Sequence, residues 1–211
     1  MDSRAWDERY AAAELVWGRE PNRWVARETA GLPPGRALDL AAGEGRNALW
    51  LAGRGWRVTA ADFSAVAVER GRKLAAAGPP EAAGRVGWVR ADVTEAGSWA
   101  EWGRGNGFDL VLISYLHLPP GPRREVWRRA ARVLAPGGTL LVIGHDATNI
   151  EAGTGGPQDP EVLYSPDEVV SALAGSGLRT VLAERVRRPV EGAARDAVDA
   201  LVRLRSEPSD G

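Results

Sequence analysis

Short apolar runs alternate along the chain with amphipathic stretches. Residues 36–40, 57–60, 86–90, 110–114 and 139–144 are each brief and rich in leucine or β-branched residues, and each is followed by a turn, as expected of strands in a buried sheet. Between the last two, Val126, Ala130, Val133 and Leu134 fall at helical spacing, which predicts a helix over 122–134 stopped by Pro136-Gly137-Gly138. Further on, Ser165-Pro166-Asp167-Glu168 reads as a capping box with proline in the first turn, and Gly175 and Gly177 stand where that helix should end. Two more β-like stretches, 180–186 and 197–204, are separated by Pro189 and Gly192 and predict a hairpin-like end to the sheet, the second with a helical alternative. The loop 146–164, with glycines at 153, 155 and 156 and prolines at 157 and 160, is long enough to suggest a lid.

Strands alternating with helices imply an α/β fold: a doubly wound, mostly parallel sheet with helices on both faces. The 211 residues suit one such domain, and 44% apolar with 26% charged residues is ordinary globular composition. A formal net charge of −1 offers no general attraction to a polyanion, so a nucleic-acid partner is not expected. The absence of cysteine removes disulfides, thiolate metal sites and a cysteine nucleophile. The start, MDSRAWDERY, carries charges where a signal peptide needs an apolar core, and no apolar run reaches membrane-spanning length, so a cytoplasmic location is expected.

The strongest local signal is Ala37-Leu38-Asp39-Leu40-Ala41-Ala42-Gly43-Glu44-Gly45-Arg46-Asn47-Ala48-Leu49, a buried strand running through a Gly-x-Gly turn into a helix. Such a turn lets backbone approach a ligand while the helix start offers free N–H groups. Gly43-x-Gly45-x-x-Ala48, with Asp62 about 20 residues on, also matches a relaxed dinucleotide fingerprint. Asp39 separates the two readings: a carboxylate there repels a pyrophosphate and attracts an amino group or a sulfonium. Asp62 can accept from both hydroxyls of a ribose, leaving Ser64 to cap the next helix, and Phe63 can cover an adenine face. Asp92, after the third strand, offers an acceptor to an adenine amino group or simply closes a turn.

Asp-x-Ala-x-Gly-x-Gly, followed by acids after the second and third strands, resembles the seven-stranded, Rossmann-like S-adenosylmethionine-dependent methyltransferases, with Ala41 where their usual turn has glycine. The stretch from Gly45 to Ala52 is similar to the tellurite-resistance and thiopurine-type small-molecule branch. The resemblance implies a single methyltransferase domain over 1–211, with an N-terminal helical lid (1–30), a core (31–205) closing on an antiparallel hairpin, and a short tail (206–211). It implies S-adenosylmethionine as cofactor and a small-molecule acceptor. It places Trp17, Asp39, Ala41, Gly43, Gly45, Arg46, Asn47, Asp62, Phe63, Asp92, Val93 and Ser114 around the cofactor.

Trp6 and Tyr10, four residues apart, share a helix face and can cover the sheet edge, with Tyr10 a candidate for the acceptor side. His117 and His145, the only histidines, follow the fourth and fifth strands and are candidate general bases, with Tyr115 a candidate pocket residue. Asp146 and Asn149 beside His145 are too few ligands for a hard cation, so no metal site is expected.

Overall fold

In the computed structural model, which describes residues 3–12, 15–16 and 18–208, seven strands form one sheet in the order β3-β2-β1-β4-β5-β7-β6. The strands are β1 (Arg36–Leu40), β2 (Arg57–Asp62), β3 (Val86–Arg90), β4 (Phe108–Ser114), β5 (Leu134–His145), β6 (Leu178–Arg188) and β7 (Ala197–Ser206). The first five are parallel, and β7 inserts antiparallel between β5 and β6. Around them pack α1 (Ser3–Ala11), α2 (Arg23–Thr29), α3 (Arg46–Gly53), α4 (Ala65–Ala76), α5 (Pro80–Ala83), α6 (Pro120–Arg132), α7 (Asn149–Ala152) and α8 (Pro166–Ala172). Two apolar layers result, one around Leu38, Leu40, Val111 and Trp127, the other around Leu51, Leu110, Leu112 and Ile143. This is the doubly wound fold with a terminal hairpin that the alternation of elements predicts. Strand order reverses between β1 and β4, and ligands of open parallel sheets bind in the crevice that such a reversal leaves at the carboxyl ends.

Several boundaries depart from the sequence reading. Pro136-Gly137-Gly138 does not end the sheet-ward helix; it lies inside β5, where the register with β4 slips between Phe108 and Leu110. The backbone there is so tightly folded that a Cβ on Gly138 would sit 2.7 Å from the Phe108 carbonyl oxygen, which is why a small residue stands at this irregularity. Stretch 197–204 is strand, not helix: held between two antiparallel neighbours, it is buried from Ala197 to Val202 regardless of side-chain parity, so alternation is absent from its sequence. Among the described residues of the N-terminal 30, α1 and Gly18 lie at the carboxyl edge of the sheet. Trp24 and Val25 of α2 are core residues, packed with Leu141, Ile143 and Leu201.

Loop 146–164 contains α7 and a 3-10 turn at Pro160–Val162, and its start is tied down from within. The Asn149 side chain accepts the Val198 N–H and donates to the Gly155 carbonyl, while both Asp146 oxygens take the Arg185 guanidinium.

Candidate active site at the strand reversal

A cavity of about 630 Å³ opens at the carboxyl ends of β1, β2, β3 and β4. Its floor is the turn between β1 and α3, where Ala41, Gly43 and Gly45 all have positive φ (55°, 59° and 81°). Alternate left-handed residues turn successive N–H groups toward one side, which suits an anionic or electron-rich ligand group. Gly45 is the N-cap of α3 and provides no side-chain cap, so the first amides of that helix are left for another partner. A Cβ on Gly45 would lie 2.2 Å from the Trp88 ring, and one on Gly71 2.1 Å from the same ring, so Trp88 wedges between two glycines and presses the turn against α4. Gly45 thus shapes the turn without lining the cavity.

Asp62, at the end of β2, lines the cavity and also builds it. Its Oδ2 accepts the Gly43 N–H at 2.8 Å and its Oδ1 the Ser64 N–H at 2.9 Å. Each carboxylate oxygen retains acceptor capacity beyond one hydrogen bond, so the same group can fix the turn and receive a diol. Ser64 caps α4 by accepting the Ala67 N–H, and its hydroxyl donates to Asp7 of α1. Asp7 also receives the Val66 N–H, so a carboxylate at the start of α4 pins the N-terminal helix across the cavity. That role of Asp7 was not read from the sequence; its neighbours in the fold lie more than 50 residues away in the chain.

Asp39 lies one layer lower. It is 1% exposed and does not line the cavity, and its carboxylate makes no close hydrogen bond, with the Ala48 N–H at the start of α3 directed at it. Burial, then the charge of Asp62, raise its pKa to about 7, against opposing pulls from Arg46 and the Ala48 N–H. A buried carboxylate this poorly satisfied is costly in the free protein and becomes cheaper when a cation is bound nearby.

The other candidates fall around this floor. Arg46, Asn47, Phe63, Asp92, Val93, Ser114, Tyr10, Tyr115 and His117 line the cavity, together with Trp6 and, from the far loop, Asp159 and Val162. Asn47 additionally accepts the Asn22 N–H, tying the N-terminal segment to α3. Through one oxygen, Asp92 closes a turn on the Thr94 N–H and hydroxyl. Trp17 lies outside the described residues.

The histidines are placed differently from one another. His117 stands in the cavity wall, its ring stacked on that of His145 with centroids 5.4 Å apart. His145 is behind it, 8% exposed and roofed by Gly156, where a Cβ would fall 2.5 Å from the ring. The His145 N–H points at His117 Nε2 at 3.4 Å, and desolvation followed by the charge of His145 lowers the His117 pKa to about 3. Tyr115, held at φ 58°, donates its hydroxyl proton to Asp199 at 2.7 Å.

Asp199 is the largest omission of the sequence reading. Fully buried on β7, it receives the Tyr115 hydroxyl, the Trp24 indole N–H at 2.9 Å and the Arg188 Nε–H at 2.8 Å, with His145 Nδ1 3.4 Å away. Through Tyr115 it fixes one wall of the cavity.

Residues 37–138 match the family model described as a methyltransferase domain. Among known proteins, a demethylmenaquinone methyltransferase from Clavibacter sepedonicus is 37% identical over 119 residues, 56% of this chain and 44% of that one. The chain thus spans less than half the length of that relative. A solved structure described as "Conversion of a Disulfide Bond into a Thioacetal Group during Echinomycin Biosynthesis" superposes with a TM-score of 0.73 at 24% identity, covering 99% of this chain and 93% of the other. The glycopeptide N-methyltransferase MtfA, complexed with S-adenosylmethionine, gives a TM-score of 0.66 at 23% identity, covering 92% and 90%.

Proposed function

We propose that this chain transfers a methyl group from S-adenosylmethionine to a small-molecule nucleophile. The observation that carries the reading is the pair of carboxylates around the β1 turn: Asp62 in the cavity wall with spare acceptor capacity, and Asp39 buried beneath the turn without a close hydrogen bond. The pair suits a ligand with a ribose and a positive charge. A dinucleotide would instead put its pyrophosphate at the Gly43–Gly45 turn, above a carboxylate that repels it. The cofactor also needs a flat cover and an acceptor for its base, which Phe63 and Asp92 supply in the same wall.

When bound, the cofactor supplies an electrophilic methyl group on a sulfonium. The protein's own contribution is placement. Gly43 and the first amides of α3 face one end of the ligand, Asp62 receives its diol, and Trp6 and Tyr10 of α1 cover the opening, their rings 5.5 Å apart. Holding acceptor and methyl in line and dry is worth several orders of magnitude in rate without any covalent step. The similarity of residues 45–52 to the tellurite-resistance and thiopurine-type branch supports a small acceptor within this reading.

Thermal denaturation with S-adenosylmethionine, S-adenosylhomocysteine or NAD tests it. At ligand concentrations about a hundredfold above Kd, a ligand of the native state adds about 2.7 kcal/mol of apparent stability. Both adenosyl ligands should raise Tm and NAD should not; a rise with NAD alone overturns the reading.

A further inference from the structure

The N-terminal segment is fastened to the floor of the cavity at three points. Asp7 of α1 receives the Ser64 hydroxyl proton and the Val66 N–H, and Ser64 in turn gives its own N–H to Asp62. The Val16 N–H donates at 2.9 Å to Glu44, the residue between the two glycines of the β1 turn, which is buried and also receives Arg70 of α4 at 3.2 Å. The Asn22 N–H donates at 2.8 Å to Asn47 in the first turn of α3. Glu44, Asn47 and Asp62 all line the cavity, so each fastening lands on a lining group or one hydrogen bond away from it.

α1 is a helix of low intrinsic stability. It is nine residues long, and helices shorter than about 12–15 residues are marginal in water. Such an element takes its order from tertiary contacts and is among the first to open. Ser3, Trp6 and Tyr10 face the cavity, Tyr10 being the buried residue of the helix, so a ligand beneath them extends the surface against which α1 packs.

Resting on the methyl-transfer reading, we propose that Asp7 is a positioning residue: it docks α1 as a strap over the occupied cofactor site, so that strap closure and cofactor binding stabilise each other, and S-adenosylhomocysteine leaves when the strap opens. The coupling is mutual by linkage. A ligand that holds the turn and Asp62 in place favours the docked strap, and the docked strap favours the ligand to the same degree. Asp7 itself does not line the cavity, so its effect reaches the ligand through α1 and Ser64. Because Trp6 and Tyr10 lie over the opening, the strap acts on escape of the ligand, as lids do that govern product release.

Surface plasmon resonance of the full chain with S-adenosylhomocysteine, paired with hydrogen exchange of α1, tests this. In the unaltered protein, saturating ligand should slow exchange of the α1 amides by at least about tenfold. In Asp7→Ala, dissociation should quicken by at least about fivefold with association changed by less than about twofold, and the protection of α1 should fall. Alanine is the best helix former, so helix propensity does not account for such a change, and loss of folded protein would lower the number of binding sites without altering the dissociation rate. Asp7→Asn keeps the single oxygen that takes both donors, and its dissociation rate should stay within about twofold of the unaltered protein's. Ligand that leaves α1 exchange unchanged, an Asp7→Ala protein that dissociates like the unaltered one, or an Asp7→Asn protein as impaired as Asp7→Ala would each overturn the inference. Failure of S-adenosylhomocysteine to bind the unaltered protein removes the methyl-transfer reading instead, so the two failures are distinguishable.

Discussion

Replacing Asp62 by alanine should abolish measurable cofactor binding and weaken the fold. The carboxylate accepts the Gly43 and Ser64 N–H groups, and losing hydrogen bonds to a charged group costs about 1.5–3 kcal/mol each. Part of that cost falls on stability, since both donors would be left at a buried position, and part on the ligand, since the turn that receives it would no longer be held. Asp62→Asn separates the two in part. Its amide oxygen replaces only one of the two acceptors and its NH2 group faces the other backbone N–H, so one hydrogen bond is lost and stability falls by about 1.5–3 kcal/mol, less than in Asp62→Ala, while a donor also faces the ligand hydroxyls. Titration with S-adenosylhomocysteine should then show affinity reduced by at least about tenfold, or 1.4 kcal/mol, in a protein that melts above the Asp62→Ala variant. An Asp62→Asn protein of unchanged affinity would mean that the ribose does not lie at β2.

The Asp199→Ala protein should lose about 3–5 kcal/mol of stability, the usual cost of leaving one partner of a buried ion pair uncompensated. Arg188, Tyr115 and Trp24 would all be left with donors aimed at an empty position. For a chain of this size, 1 kcal/mol corresponds to about 2–4 °C in Tm, so a fall of roughly 10 °C is expected in a thermal scan. Because the excess charge causes most of the damage, adding Arg188→Met to Asp199→Ala should recover part of the loss. Strict additivity of the two single changes would show that the groups do not act as a pair.

The two carboxylates illustrate what a single sequence discloses. Asp62 follows a short apolar run, precedes a cap and stands about 20 residues from a glycine turn, so strand, turn and helix rules acting over a few residues locate it. The same holds for Ser64 and for Ser165, whose hydroxyls cap α4 and α8 as expected. Glu168, by contrast, does not complete the box at Ser165; it reaches across to Arg123 of α6 in a bidentate pair at 2.7 and 2.8 Å, because a buried guanidinium there needs a counter-charge. Asp199 lies in a run of apolar residues on a strand buried on both sides, and its partners are 11, 84 and 175 residues away. No local pattern encodes such a meeting. The two histidines were likewise assignable to the correct sheet edge from strand ends alone, but which of them faces the cavity depends on the stacking between them and on Gly156, a contact of the tertiary fold.

Most of the fold followed from element alternation because each parallel strand is punctuated by a turn. The exception, Pro136-Gly137-Gly138, shows how a helix-stop signal and a strand irregularity share composition: both need residues that tolerate unusual backbone, and only the β4 register decides between them.

The central claim is that S-adenosylmethionine occupies the cavity with its ribose on Asp62. A crystal structure of the protein with S-adenosylhomocysteine tests it most directly. The account predicts the ribose hydroxyls within hydrogen-bond reach of the Asp62 carboxylate, adenine beside Phe63 and Asp92, and the amino-acid end over the Gly43–Gly45 turn above Asp39. A ligand bound with its ribose away from β2, or density for S-adenosylhomocysteine only outside this cavity, would contradict it.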